Sequence, residues 1–385
     1  MRFSFRSKVG IALLPIAIVI LVGAFMASGV FRLQASYAAG SPFIGPFNTI
    51  KTIASTVPRN GDVNPYGMVV VPNSIGRLTQ GDILISNFNS KANLQGTGTT
   101  IVQISPDGTR RLFAQINPQT LPGVCPGGVG LTTALVVLQR GWVIVGSLPT
   151  SDGTSATAQA GCLIVLNSVG NVVETFAGQP INGPWDMTAL DQGSKATLFV
   201  TNVLNGVVKA SPNVVNRQTV VRIVLNVPNQ GQGVPSVDST KIIGSGFSAR
   251  TDPAALVLGP TGLGFSDNGT LYVADTLNNR IAAIPNALTR NTTAFAGRDV
   301  TANGLLNAPL GLAIAPNGDI LTVNGNDGFL VETTPSGSQI AARLLDNTVA
   351  PGASVGAGCL FGVSVRDNNG VYYVDDCANT LNLLH

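Results

Sequence analysis

The feature that most constrains the fold is a pattern that recurs three times in the C-terminal third of the chain. Gly262, Gly311 and Gly362 mark equivalent points in the three copies and lie 49 and 51 residues apart. Each copy has an apolar run, a turn containing Asn-Gly and a second apolar run, which is typical of a β-hairpin. The clearest copy, residues 259–283, reads GPTGLGFSDNGTLYVADTLNNRIAA. Self-similarity at this period predicts a radial repeat of small antiparallel sheets.

Weaker copies extend the repeat toward the N-terminus. Units open near residues 64, 130, 183, 259, 308 and 361, and frequent Gly and Pro leave room for short strands rather than long helices. The last unit ends at His385 after three strands, so residues 48–54 are expected to supply its missing outer strand and remove an unpaired edge. The pattern predicts an all-β, six-bladed β-propeller of four-stranded antiparallel blades. A ring of seven blades is the alternative, because residues 203–245 could hold another unit.

The first 39 residues differ from the rest of the chain. Three basic residues precede an apolar run over residues 9–31, which is typical of an export signal or an N-terminal membrane helix. Small residues before Ala39 suit cleavage, whereas the length of the run suits retention as an anchor. Residues 40–385 are predicted to form a single propeller domain outside the cytoplasm, with membrane contact only through residues 9–31.

Charge excludes some partners. Four of the 22 Lys and Arg lie in the leader and none of the 19 acids does, which leaves 18 − 19 = −1 for the remainder. Without a basic patch, binding to nucleic acid is not expected.

All four cysteines lie in the exported part, where an oxidising compartment favours two disulfides. Three connectivities are possible, and four reduced buried thiols are the alternative. The blade assignment predicts Cys125–Cys162 and Cys359–Cys377, each within one blade, because the members of each pair fall at neighbouring strand ends.

The segment GPTGLGFSDNGTLYVADTLNNRI resembles the NHL repeat in its P-x-G-L opening, its D-x-x-G turn, its L-Y-V-A-D strand and its N-N-R-I corner. The similarity is strong for this unit, fair for the next two and weak for the first three. It implies an NHL-type propeller across residues 40–385. It does not imply one function, since similar folds carry different functions. Arg280 of the corner is expected to pair with an acid of a neighbouring blade.

Histidine chemistry is excluded almost entirely, because the only histidine is the terminal residue His385. Ser-His-Asp catalysis and His-based zinc sites therefore lack their central residue. The same absence argues against the NHL-type amidating lyases, whose resemblance would require zinc-binding histidines.

Oxygen-bearing side chains recur at the end of the second strand of five units, namely Asn87, Asn202, Asp275, Asn324 and Asp376. Asp186 replaces the opening glycine of the NHL pattern, at the start of an innermost strand. Six-bladed lactonases of the gluconolactonase type resemble this arrangement, with Asn, Asp and Glu holding a cation over the channel. Here both glutamates fall in outer-strand positions, so the carboxylate set is incomplete. The alternative is that these side chains cap turns for structural reasons. No cofactor is predicted, and Ca²⁺ is the cation that such oxygens would suit.

Three enlarged connections, residues 88–99, 148–161 and 203–218, follow the second strand of their units and are predicted to wall one face. Their polar content, with Lys91 and Arg217, favours a polar small molecule, a glycan or a protein partner. The first hypothesis is an exported, non-catalytic binding or scaffold propeller. The alternative is a Ca²⁺-dependent hydrolase of the gluconolactonase or strictosidine-synthase-like type.

Overall fold

Six antiparallel sheets make up the computed structural model, which describes residues 40–350 and 352–385. The predicted leader, residues 1–39, lies outside these residues, as does the apolar run 9–31. Within the described part of the chain, no helix is long and apolar enough to cross a bilayer.

Each blade runs outward from an inner strand, and in the first five blades the strands follow the order of the chain. Blade I contains β2 (Val63–Val70), β3 (Ile83–Asn89), β4 (Thr100–Ile104) and β5 (Arg110–Gln115), and blade II contains β6 (Leu131–Val137), β7 (Val143–Ser147), β8 (Cys162–Leu166) and β9 (Val172–Ala177). Blade III contains β10 (Pro184–Asp191), β11 (Lys195–Asn202), β12 (Val215–Asn226), β13 (Ser236–Asp252) and β14 (Leu256–Leu258). Blade IV contains β15 (Pro260–Phe265), β16 (Leu271–Asp275), β17 (Arg280–Ile284) and β18 (Arg298–Ala302), and blade V contains β19 (Pro309–Ile314), β20 (Ile320–Asn324), β21 (Phe329–Thr333) and β22 (Gln339–Leu344). Blade VI contains β23 (Leu360–Asp367), β24 (Gly370–Asp375) and β25 (Thr380–Leu384). Helical turns are short: α1 (Val207–Ala210) and the 3-10 turns Pro118–Thr120, Ser155–Thr157 and Thr276–Asn278.

The predicted closure of the ring is confirmed. Strand β1 (Ile50–Ser55) pairs antiparallel with β25, with Ile50 opposite Leu384 and Ser55 opposite Thr380. The N-terminus therefore supplies the outer strand of blade VI, and that blade has four strands like its neighbours. Strand pairing across the two chain ends removes an exposed edge.

The ring has six blades and not seven. Residues 203–245, which could have held a further unit, form α1, β12 and much of β13 in blade III. Strand β13 is 17 residues long and continues past its partner to pair with the short strand β14. Blade III alone has five strands.

Inner strands β2, β6, β10, β15, β19 and β23 form a closed ring in which each touches the inner strands of both neighbouring blades. Each of them pairs on one side only, so its second edge faces the propeller axis. We call the upper face the side where the inner strands begin and the second strands end, and the lower face the opposite side. Apolar side chains fill the spaces between blades, including Trp142 and Trp185, which are both 2% exposed.

Both disulfides are present as predicted, Cys125–Cys162 and Cys359–Cys377, and the described residues contain no free cysteine. Each lies within a single blade, and two disulfides indicate an oxidising, extracytoplasmic environment.

The outer-strand assignment of the glutamates needs a correction. Glu174 lies in the outer strand β9, but Glu332 lies in the third strand, β21, and is fully buried. Its carboxylate accepts hydrogen bonds from the backbone N–H groups of Phe43 at 2.6 Å and Ile44 at 2.9 Å. Arg343 donates to the carbonyl of Phe47 at 2.9 Å and to that of Gly45. These bonds hold the segment that leads into β1 against blade V.

Candidate axial site

The inner strands meet at a ring of closely packed residues near the upper face. Four of the six blades have glycine at this ring position: Gly67, Gly262, Gly311 and Gly362. A Cβ atom added to any of them would lie too close to a carbonyl oxygen of the next blade, at 2.8, 2.2, 2.0 and 2.3 Å respectively. Where two backbones approach this closely, only glycine fits, because it has no Cβ atom.

Blade III departs from this rule with Asp186. In the strand register, Asp186 falls where Gly262 and Gly311 fall, inside the irregular opening between Pro184 and Met187. Asp186 Oδ2 accepts a hydrogen bond from the backbone N–H of Leu263 in blade IV at 2.9 Å. The Thr201 hydroxyl accepts from the Asp186 N–H at 3.0 Å and donates to the Thr261 carbonyl at 3.1 Å. Blade III thus carries a carboxyl side chain where blades I, IV, V and VI have none.

The environment of Asp186 favours a neutral carboxyl. Asp186 is half-buried among the inner strands, and part of its surface stays open to the axial cavity. Burial raises the pKa of Asp186 to about 7, against the opposing effect of hydrogen bonds from the backbone N–H groups of Met187 and Leu263. A group with such a pKa changes its charge near neutral pH.

An aromatic cap closes the axis above Asp186. It consists of Tyr66, Phe88, Trp185 and Phe361, all buried. The ring of Tyr66 stacks on Phe361 with centroids 4.0 Å apart and on Phe88 at 4.5 Å, and Trp185 lies 6.1 Å from Tyr66. Three members precede the ring position of their own blade, so they converge when the ring closes. Nothing in the spacing of the sequence predicts this contact, although the aromatic residue before the ring position of these three blades is visible in the sequence.

Below the cap lies a cavity of about 410 Å³, lined by the inner strands of all six blades. Exposure increases along these strands toward the lower face. In β23 Val363 is buried and Val365 is half-buried, and in β2 Met68 is buried and Val70 is half-buried. The cavity is therefore closed at the upper end and open at the lower one. Its volume is within the range typical of small-molecule sites.

The predicted strand-end Asn residues bond to the loop that leads into the inner strand of their own blade. Asn87 donates to the carbonyl of Thr56 and to the Thr100 hydroxyl, Asn324 donates to the carbonyl of Leu305, and Asn202 accepts from the N–H of Asn182. These contacts tie the end of a second strand to a neighbouring loop. They match the alternative of turn capping.

Asp275 pairs with Arg280 of its own blade at 2.8 Å, and Arg280 also contacts Asp299 of the same blade. The expectation that Arg280 pairs with an acid of a neighbouring blade is therefore wrong. Burial raises the pKa of Asp275, while Asn278 and Arg280 oppose that shift.

In blade VI the strand-end position belongs to Asp375, since Asp375 pairs with Leu360 as Asp275 pairs with Pro260. The sequence assignment of Asp376 to this position was one residue late, because two consecutive aspartates stand where the strand passes into its turn. Burial, and then the charge of Asp375, raises the pKa of Asp376 to about 7. Burial and the neighbouring carboxyl of Asp346 raise the pKa of Asp375 to about 6.

A calcium site of the expected kind does not fit these residues. The strand-end side chains bond to separate loops, one blade at a time, and the aromatic cap lies between the upper face and Asp186. Asp375 lies close to the sulfurs of Cys359 and Cys377, but these are joined in a disulfide and offer no thiolate. The structure therefore assigns no shared metal to the predicted set.

The three enlarged connections are on the upper face, as predicted, and we call them the upper loops (residues 88–99, 148–161 and 203–218). Two of them contact each other and the β13–β14 turn. Thr150 donates to the carbonyl of Gln95, the Gln95 amide donates to the carbonyls of Pro253 and Ala254, and Ser155 donates to that of Asp252. Leu148, Val203 and Leu204 join the apolar cluster of the aromatic cap. The upper loops thus cover the cap and do not open onto the cavity. Lys91 and Arg217 are exposed on these loops, away from the cavity lining.

The chain matches no protein-family profile and no curated protein sequence. Several solved structures share its fold. A luciferin-regenerating enzyme is similar with a TM-score of 0.53 and 10% identity over 87% of this chain and 94% of that one. A gluconolactonase from Xanthomonas campestris is similar with 0.51 and 13% over 87% and 88%. A putative glucose dehydrogenase from Thermus thermophilus is similar with 0.51 and 12% over 88% and 99%. At these identities the likeness shows the fold alone.

Proposed function

We propose that the protein is an exported, NHL-type binding propeller that holds a small polar ligand in its axial cavity. One observation carries the proposal: Asp186, in the place of a packing glycine, presents a carboxyl group at the closed end of a cavity that opens on the lower face. Polar groups at the end of a small cavity fix the orientation of a ligand.

The walls of the cavity support a polar ligand. Six inner strands turn an unpaired edge toward the axis, so backbone N–H and C=O groups line it together with aliphatic side chains. An unpaired backbone group loses free energy unless water or another partner satisfies it. A small molecule with several hydroxyl or amide groups would satisfy many of these groups at once.

The alternative is a hydrolase of the gluconolactonase or strictosidine-synthase-like type. The shared fold of the Xanthomonas campestris gluconolactonase supports it, and the pKa of Asp186 near 7 would suit a general acid or base. Against it, the strand-end residues bind separate turns, and the upper end of the axis is closed. A third possibility is a larger partner that binds the upper loops through Lys91 and Arg217.

Blocking the cavity tests the proposal. Ser364 lines the cavity, is half-buried and makes no side-chain hydrogen bond among the described residues, so Ser364→Phe should fill the channel without breaking a contact. The matched control is Ser239→Phe, on the exposed outer strand β13. A set of sugars, polyols and amino sugars is screened by thermal shift and ligand-detected NMR.

Ligands that bind the wild type and the Ser239→Phe variant but not the Ser364→Phe variant would support the axial site. Ligands that bind all three proteins equally would contradict it. Binding lost only when Lys91 and Arg217 are both changed to Ala would place the partner on the upper loops. Calcium-dependent turnover of gluconolactone that EDTA abolishes would favour the hydrolase.

A further inference from the structure

Asp186 lacks a positive partner in the cavity. Among the described residues that line the cavity, none is Lys, Arg or His. Its hydrogen bonds come from backbone N–H groups, and no other ionisable group contributes to its pKa. Asp275, a buried carboxylate at the end of a second strand, has Arg280 at 2.8 Å. A carboxylate removed from water needs a partner of opposite charge, or it takes up a proton.

The position of Asp186 shows that this carboxyl is not required by packing. In blades I, IV, V and VI the ring position is glycine, and a Cβ there would lie 2.0–2.8 Å from a carbonyl oxygen of the next blade. The junction between blades III and IV instead accommodates a full side chain. Its remaining carboxyl surface faces the cavity, where no cationic side chain of the described residues supplies a counter-charge.

We propose that the ligand of the axial cavity carries a protonated amine that pairs with Asp186, on a body of hydroxyl or amide groups that bind the strand edges. This inference rests on the proposed function and names the chemical class of the ligand. A bare metal ion suits the site less well, since one carboxylate offers too few anionic ligands and the cavity is far larger than an ion.

The pairing predicts how binding depends on pH. An ammonium ligand binds the ionised carboxylate, so its affinity should increase as pH rises through about 7, where Asp186 loses its proton. A ligand that instead accepts a hydrogen bond from the protonated carboxyl would show the opposite dependence. Asp191, the other acid of the lining, lies at the far end of the same strand, where it accepts hydrogen bonds from the backbone N–H groups of Gln139 and Gly193.

Glucamine and sorbitol test the inference, because they differ only in an ammonium group in place of one hydroxyl. Calorimetric titration of the exported chain, at about pH 6 and about pH 8, should show glucamine binding about tenfold more tightly than sorbitol, the size expected for one charge-assisted hydrogen bond. The preference should be larger at the higher pH and absent in Asp186→Asn. Asp186→Gly, which introduces the residue of blades I, IV, V and VI, serves as a second variant if the first fails to fold.

Equal binding of the two compounds would overturn the amine and leave the axial site intact. A preference for glucamine that persists in both Asp186 variants would overturn the role of Asp186. No binding of either compound would overturn this ligand class, while the screen with Ser364→Phe decides separately whether the cavity binds any ligand. Calcium chloride is the third probe: binding of calcium that needs Asp186, without binding of glucamine, would assign the carboxylate to a metal.

Discussion

Asp186 and Leu263 join blades III and IV through a hydrogen bond of 2.9 Å from the backbone N–H of Leu263 to the carboxylate of Asp186. The bond spans a junction that most other blades of the ring close with glycine. It fixes one oxygen of the carboxyl and leaves the group directed at the axial cavity. The relationship links a packing irregularity to a candidate site.

The first prediction concerns pH and Asp186. Its folded pKa of about 7 exceeds the unfolded value of 3.8, so its contribution to stability is complete below about pH 4 and is lost as pH rises through about 7. The free energy of unfolding of the wild type, minus that of Asp186→Asn, should therefore be larger near pH 5 than near pH 8. Urea unfolding at both pH values measures it. A difference that stays constant or grows with pH would show that burial does not control this carboxyl.

The second prediction concerns the glycine ring. Gly311→Ala would bring a Cβ to 2.0 Å from the carbonyl oxygen of Phe361, so blades V and VI would have to separate. We expect a loss of about 1–3 kcal/mol, as for other overpacked sites. Gly40→Ala is the control, since a Cβ there would meet nothing within 4 Å. Unfolding curves that agree for the two variants would mean that the ring tolerates a side chain.

The third prediction concerns the ion pair of Arg280 and Asp275. The Asp275 side chain is 0% exposed, so Arg280→Met leaves a buried carboxylate without its charged partner. We expect a loss of about 3–5 kcal/mol. Lys195→Met, which breaks an exposed pair with Asp238, should cost less than about 1 kcal/mol. Thermal and chemical unfolding compare the two, and similar losses would show that burial does not distinguish these pairs.

The fourth prediction concerns the two glutamates. Glu332→Gln removes the carboxylate that accepts hydrogen bonds from the N–H groups of Phe43 and Ile44, and it places an amide donor against one of them. Hydrogen exchange at these two amides should become faster, with a loss of about 1–3 kcal/mol in the free energy of unfolding. Glu174→Gln is the control, because Glu174 is only partly buried and accepts from its neighbour Thr175. Unchanged exchange at Phe43 and Ile44 would contradict a role for Glu332 in holding this segment.

Several features could be predicted from the sequence because they depend on neighbouring residues. Turn residues such as Asn268-Gly269 fix where a strand pair reverses, so the hairpins and the repeat of blades follow from local pattern. Once the blades are assigned, Cys359 and Cys377 fall at adjacent strand ends, and the disulfide follows. The assignment of Asp376 was wrong by one residue, because the two consecutive aspartates 375 and 376 fit the end of a strand equally well until pairing with Leu360 decides between them.

The sequence by itself determined the blade repeat, the closing strand and the disulfides, and it singled out Asp186 as a departure from that repeat. Only the tertiary structure excluded a seventh blade and decided which end of the axis is open. Tyr66, Trp185 and Phe361 come from blades far apart in the chain, and they stack only because the closed ring brings the starts of their strands together. That contact depends on the radius of the ring and the tilt of each blade. No local pattern encodes either quantity, so the sequence could identify the carboxyl but not the side from which a ligand reaches it.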